Sequence, residues 1–230
     1  MLFLATVLAV SGCATLADIF NGNSSGSEAL DESTVIAGIR EALRIGTENT
    51  VLSTSKLDGY LGNQLIRIAV PPQIASVAST LRLVGLGSQV EEFEVGMNRA
   101  AELAAAEARD IFWNAITGMT VSDAFGILNG GNTAATEYFR DRTYAALQAR
   151  FHPIVLQKIE QIGLTSVYTR IADAYNTLHP AGTSRLVDLD DYVTEKALGG
   201  LFTVLASEEQ KIRQDPLART TDLLRRVFGR

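Results

Sequence analysis

The sequence predicts an all-α protein, a single compact domain of about nine helices behind a flexible N-terminal linker. Three observations predict it. From Ser33 onward, apolar residues recur at intervals of three and four, not two. Only Leu65-Ile66-Arg67-Ile68-Ala69-Val70 resembles an extended segment, and it has no second strand of similar quality to pair with. Hydroxyl and carboxylate residues stand three apart at Ser88/Glu91 and Thr120/Asp123, the spacing at which each can satisfy a free amide at a helix start.

The first helix carries the stripe Val35, Ile36, Ile39, Leu43, with Arg40, Glu41 and Arg44 opposite. Gly46 either ends it or is tolerated within it. Asp58-Gly59-Tyr60 is a turn signal. Leu65 to Val70 then reads as a connector closed by Pro71-Pro72. Pro72 suits the first turn of a helix reaching about Val84, and Gly85-Leu86-Gly87 breaks it. Ser88/Glu91 opens a long helix through the alanine-rich Ala100–Ala106 to about Thr117. Thr120/Asp123 opens a short one, stopped at Gly130-Gly131. Asn132 or Thr133 starts the next, to Phe151. Pro153 predicts a break after His152, with helices over about Ile154–Ile162 and Thr165–Leu178. Pro180-Ala181-Gly182 is a loop. Asp188 is expected to cap a long helix to about Gln214, and Asp215 a last one from Pro216 to Phe228. Leu217, Leu224, Val227 and Phe228 form its apolar face, and Arg219, Arg225, Arg226 and Arg230 the other.

The chain has 230 residues, a net charge of -6, 47% apolar and 20% charged residues. That length buries a substantial core without staples. The acidic balance argues against nucleic-acid binding, which needs a cationic surface, and against bulk attraction to anionic lipid.

The N-terminus reads as an address. Met1 to Val10 is a run of about ten residues, nearly all apolar, short for a membrane span and suited to a signal peptide. Val10-Ser11-Gly12-Cys13 resembles the lipobox of bacterial lipoproteins, although no Lys or Arg precedes the apolar run. The resemblance implies cleavage before Cys13, the single cysteine, and a membrane anchor through acyl chains on it. Residues 1–12 are then a signal peptide, 13–32 a lipidated cysteine and linker, and 33–230 the helical domain. Asn21-Gly22-Asn23-Ser24-Ser25-Gly26-Ser27 has tether composition. Ala14, not an aspartate, follows the cysteine. In the lipoprotein sorting rule this favours the outer membrane, with the domain facing the periplasm.

The chemistry-bearing residues are sparse. His152 and His179 are the only histidines, without metal-ligand spacing, and read as structural. No metal or cofactor motif is visible. Glu102, Glu107 and Asp110 can pair with Arg99 and Arg109, and Glu208-Glu209 stand near Arg213. Asn98, Arg99, Glu102 and Arg140 are the candidate ligand-binding set; Asn98-Arg99 stands beside Ala100-Ala101, and an arginine beside small residues can reach across a close helix contact. Phe93, Met97, Phe112, Trp113, Ile116 and Met119 have helical spacing and read as core or as the lining of an apolar pocket.

Several phrases together resemble one bacterial family of exported proteins, DUF4197, a domain of unknown function. They are Gly38-Ile39-Arg40-Glu41-Ala42-Leu43, Met97-Asn98-Arg99-Ala100-Ala101-Glu102, Ala134-Ala135-Thr136-Glu137-Tyr138-Phe139-Arg140, Phe151-His152-Pro153-Ile154-Val155 and Ile212-Arg213-Gln214-Asp215-Pro216. The resemblance covers about Thr34 to Gly229 and implies export, but no activity, cofactor or catalytic residue. The expectation is a lipid-anchored envelope protein binding a partner protein or a small apolar ligand. The alternatives are an envelope enzyme with an Arg/carboxylate site and a structural envelope component. A polar cleft converging on Arg99, Glu102 and Arg140 would mark the enzyme. A shallow groove or dry apolar cavity would mark the binding protein.

Overall fold

The computed structural model describes residues 31–170 and 188–229. Cys13, the linker, His179 and the Pro180-Ala181-Gly182 loop lie outside the described residues. The helices all belong to one unit, Glu32–Arg230. In chain order they are α1 (Glu32–Ser55), α2 (Ala75–Leu83), α3 (Gly87–Ala105), α4 (Ala108–Thr117), α5 (Val121–Asn129), α6 (Ala134–Gln161), α7, described over 164–170, α8 (Leu189–Gln214) and α9 (Asp222–Phe228). Short 3-10 turns at Pro72–Ile74 and Pro216–Ala218 lead into α2 and towards α9. Among the described residues there is no strand, so the all-α expectation holds.

The core is built on α8, which packs against α1, α3 and α6. Two pairings show that α6 runs antiparallel to it: Thr136 meets Glu209 near one end, and His152 meets Asp190 near the other. α1 is antiparallel to α8 as well, with Asn49 bonded to Glu208 and Ala42 clustered with Ile212 and Leu224. Phe112, Phe139 and Phe202 meet at the centre, with ring centroids 5.1 and 6.3 Å apart. Burying each ring contributes on the order of 1.5–3 kcal/mol. α9 closes the bundle by seating Val227 against Gly38, where an added Cβ would lie 2.3 Å from a Val227 methyl.

Several boundaries differ from the expectations. Pro153 does not break the chain, for α6 runs through it. Its buried side chains recur every four residues, at Ala135, Phe139, Thr143, Leu147, Phe151, Val155 and Ile159. That continuous ridge outweighs the one backbone hydrogen bond proline removes. The long helix expected to Thr117 is interrupted at 106–107, where Glu107 N–H bonds back to Ala104 O. Neither residue carries a helix-breaking signal. Ser88/Glu91 forms no cap, because α3 starts at Gly87 with Leu86 in the cap position. Asp188 stands at the N-cap of α8 without a side-chain bond to it. Pro216 to Phe228 is not one helix: Asp215 caps the 3-10 turn, and Thr221 caps α9 by accepting from Leu224 N–H. Leu217, expected on the buried face, is 88% exposed. Trp113, expected in the core stripe, is half exposed. Phe112 and Ile116 turn inward on α4, and Trp113 lies one step round its circumference. The Thr120/Asp123 capping box is as expected, and of the two readings left open for Gly46 the helix takes tolerance within α1.

Candidate functional site

α3 carries a polar stripe at successive turns, Glu94, Asn98 and Glu102, each nearly or fully buried. Burying such groups is costly unless each finds a partner, and all three find partners in the connector between α1 and α2. The Asn98 carboxamide accepts from Ile68 N–H at 2.9 Å and donates to Ile68 O at 2.8 Å, and also donates to Glu94 O at 2.7 Å. One side chain thereby satisfies the two backbone groups a neighbouring strand would have paired. This explains how a strand-like segment persists without a sheet.

Glu102 holds the turn before it. One carboxylate oxygen accepts from Tyr60 N–H at 3.1 Å and Leu61 N–H at 3.3 Å. The other accepts from Arg99 at 2.6 Å. Arg99 also reaches Asp58, 2.7 Å away. These ion pairs, the hydrogen bond to Glu102 foremost, raise the Arg99 pKa. Glu94 receives Arg67 and Arg82 at 3.0 and 2.9 Å. Tyr60 itself is fully buried and donates from its hydroxyl to Ala197 O at 2.7 Å. Burial, helped by the charge of Glu102, pushes its phenol well above the ordinary range. Gly200 leaves room for the ring, since a Cβ there would lie 2.6 Å from it.

The structure therefore brings Asn98, Arg99 and Glu102 together but commits each to the chain's own connector. Arg140 is engaged elsewhere, with its guanidinium 4.9 Å above the Phe202 ring. Arg99 reaches the rim of a groove that neither Glu102 nor Arg140 lines.

Glu209, Glu107 and His152 are also engaged in the fold. Glu209 is the cap of α6 that Thr133 does not provide. It accepts from Ala135 N–H at 2.9 Å and from Thr136 N–H and hydroxyl at 2.8 Å, with Arg213 closing the group at 2.9 Å. A carboxylate there also meets the positive end of the helix dipole. Glu107 pairs with Arg150, not with Arg109. His152 contacts Asp190 at 2.9 Å. Desolvation, then a hydrogen bond with Asp188, raises the Asp190 pKa.

Three hollows among the described residues adjoin these groups or the aromatic residues. A cavity of about 30 Å³ lies among Ile39, Leu43, Leu205, Ile212 and Phe228, beside Glu209 and Arg213. That is room for about one water molecule. A groove of about 730 Å³ runs between the first turns of α3 and the segment from Lys158 to Arg170. Phe93, Val95, Gly96, Ile162, Leu164 and Val167 give it an apolar floor, and Glu91, Glu92, Arg99, Lys158 and Arg170 a charged rim. Gly96 lets Leu164 settle on α3, since a Cβ would lie 2.4 Å from a Leu164 methyl. A smaller cleft of about 260 Å³ lies beside Trp113. Of the candidate ligand-binding set only Arg99 lies at this groove, with Phe93 from the aromatic stripe; the rest of it was not foreseen, because its two walls lie far apart along the chain.

Comparison with curated proteins and with solved structures returns no match. The model of one family, described as "Protein of unknown function (DUF4197)", matches residues 29–229. That span takes in the connector clamp, the Glu209 cap and the groove, and the chain belongs to the DUF4197 family.

Proposed function

We propose that this is a lipid-anchored bacterial envelope protein, held through Cys13 and facing the periplasm, whose helical domain binds a partner protein or a small apolar ligand and carries out no reaction. The observation that carries this reading is the groove on α3. Its volume of about 730 Å³ falls in the range of ligand sites, and its apolar floor and charged rim have their composition. Of the polar residues that an Arg/carboxylate enzyme would need, Asn98 and Glu102 are bonded to the connector, Arg140 lies over Phe202, and Arg99, at the groove rim, is paired with Glu102 and Asp58.

The entry of α1 and the groove lie at opposite ends of α8. α1 enters beside α9 at the C-terminal end of α8, where Ala42, Ile212 and Leu224 cluster. The groove lies past the other end, beyond the contact between His152 and Asp190. Those ends are roughly 39 Å apart along the 26 residues of α8.

The test uses the full chain extracted from native membranes, with co-purifying proteins and small molecules identified by mass spectrometry. Val95 is on the groove floor and 37% exposed, so Val95→Asp should keep the melting temperature and lose the bound species. Cys13→Ala should leave the N-terminus unprocessed and unacylated. An unchanged set of bound species in Val95→Asp would overturn the groove. Intact Met1 on the mature parent protein would overturn the anchor.

A further inference from the structure

The cleft beside Trp113 sets one aromatic face among charges of both signs. It lies between α1 and α4 and is lined by Arg44, Thr47, Glu48, Arg109, Asp110 and Trp113. Trp113 is the chain's only tryptophan and is 50% exposed. Its indole N–H, the Arg109 guanidinium and the Asp110 carboxylate have no partner among the described residues. Across the cleft, Arg44 is held in place. Its Nε and Nη2 donate to Glu41 at 3.0 and 3.1 Å, and its Nη1 donates to Glu48 at 3.0 Å. The hydrogen bond between Glu41 and Arg44 lowers the pKa of the acid and raises that of the base. The cleft thus has one preset wall, one wall of unused hydrogen-bonding groups, and an apolar ring.

We propose that this cleft binds a neutral saccharide, one sugar ring resting its C–H face on the Trp113 indole while its hydroxyls bridge Arg109, Asp110 and Glu48. The lining selects this chemistry by elimination. A simple anion would face Glu48 and Asp110, and a simple cation would face Arg44 and Arg109. A wholly apolar molecule would strip water from these charged groups and return no hydrogen bond. A sugar hydroxyl both donates and accepts, so it satisfies a guanidinium and a carboxylate together. Its ring also carries an apolar face that gains from covering an exposed indole. The fixed Arg44 reduces the ordering that binding requires. The site is separate from the groove on α3 and does not depend on the lipid anchor.

The single tryptophan makes the test direct. The full chain is titrated with chitotriose and with maltotriose, following indole emission and its quenching by acrylamide. Binding should shift the emission to shorter wavelength and shield the indole saturably, with a dissociation constant of about 0.1–5 mM for at least one of the two. Arg109→Gln and Asp110→Asn alter exposed groups with no partner to lose. Each should weaken binding about tenfold, the effect of removing one hydrogen bond to a charged group, with the melting temperature unchanged. Glycerol at the same hydroxyl concentration should do nothing. The proposal fails if neither sugar gives a saturable change, if glycerol reproduces the change, or if both variants bind as the parent does. It fails equally if the indole is shielded only by a protein from envelope extracts, which would make the cleft a protein contact.

Discussion

Replacing Asn98 by alanine should destabilise the whole domain, and the size of the loss follows from what the carboxamide holds. Asn98 is fully buried and bonds both the N–H and the C=O of Ile68. Ile68 is itself only 2% exposed, so water cannot easily replace the lost partner. Each orphaned buried backbone group costs about 1–3 kcal/mol, or about 2–6 kcal/mol for the pair. That is a large share of a total stability of roughly 5–15 kcal/mol. For a domain of this size each kcal/mol moves the melting temperature by about 2–4 °C. A loss near the middle of the range therefore lowers it by about 8–16 °C. Asn98→Asp should do no better at neutral pH. It keeps the acceptor for Ile68 N–H but sets a negative charge against two carbonyl oxygens. The assay is thermal unfolding followed by helical circular dichroism, with hydrogen exchange at the Ile68 amide as the local readout. An Asn98→Ala protein that melts within about 2 °C of the parent, with Ile68 still protected, would refute the clamp. The carboxamide would then be free for a ligand, as the candidate set from the sequence had it.

Other perturbations test other parts of the bundle. Gly38→Ala should loosen α9, because its Cβ would collide with Val227. A loss of about 1–3 kcal/mol is expected, with early proteolytic release of the C-terminus. Deleting everything after Asp215 removes Leu224 and Val227 from the core, together with the partly buried Phe228. At about 1.5–3 kcal/mol for each fully buried side chain, the truncated chain should unfold or melt far below the parent. Pro153→Ala should raise stability by up to about 3 kcal/mol, since it restores a helical N–H at an exposed position within α6; a lower melting temperature would mean the proline is needed there. Asp123→Ala should cost about 1 kcal/mol at neutral pH. The bond from Thr120 N–H, followed by that from its hydroxyl, lowers the Asp123 pKa. Its folded pKa thus lies below the unfolded one. The stabilisation is complete above the ordinary carboxylate range and is lost as pH falls through the lowered folded value. The difference in melting temperature between parent and variant should therefore close in acid.

The helices were legible wherever local chemistry decides them. The Thr120/Asp123 capping box and the stripe on α1 need only neighbours along the chain. The connector at Leu65–Val70 was recognised because it lacked a strand to pair with. What pairs with it, Asn98, lies on a helix 30 residues further on, and no local pattern announces that contact. Pro153 misled for the complementary reason. The proline penalty is local, whereas the ridge from Ala135 to Ile159 that outweighs it exists only against the neighbouring helices. The same holds at the start of α6, where the cap is supplied by Glu209 from α8.

The candidate site shows how far a residue's type can be read without its surroundings. Asn98, Arg99 and Glu102 were singled out because polar groups beside alanines promise reach across a close contact. They do reach across, but to the backbone of their own chain, and a carboxylate satisfied by two amides and a guanidinium has little capacity left for a substrate. Arg140, which has no such small neighbours, lies over Phe202. Trp113 was placed in the core by its helical spacing, yet a difference of one residue from Phe112 turns it from the aromatic centre to the cleft above Asp110. A shift of one position changes the helical face by about 100°. Such a shift separates a ring that holds the fold together from one that is free to receive a ligand.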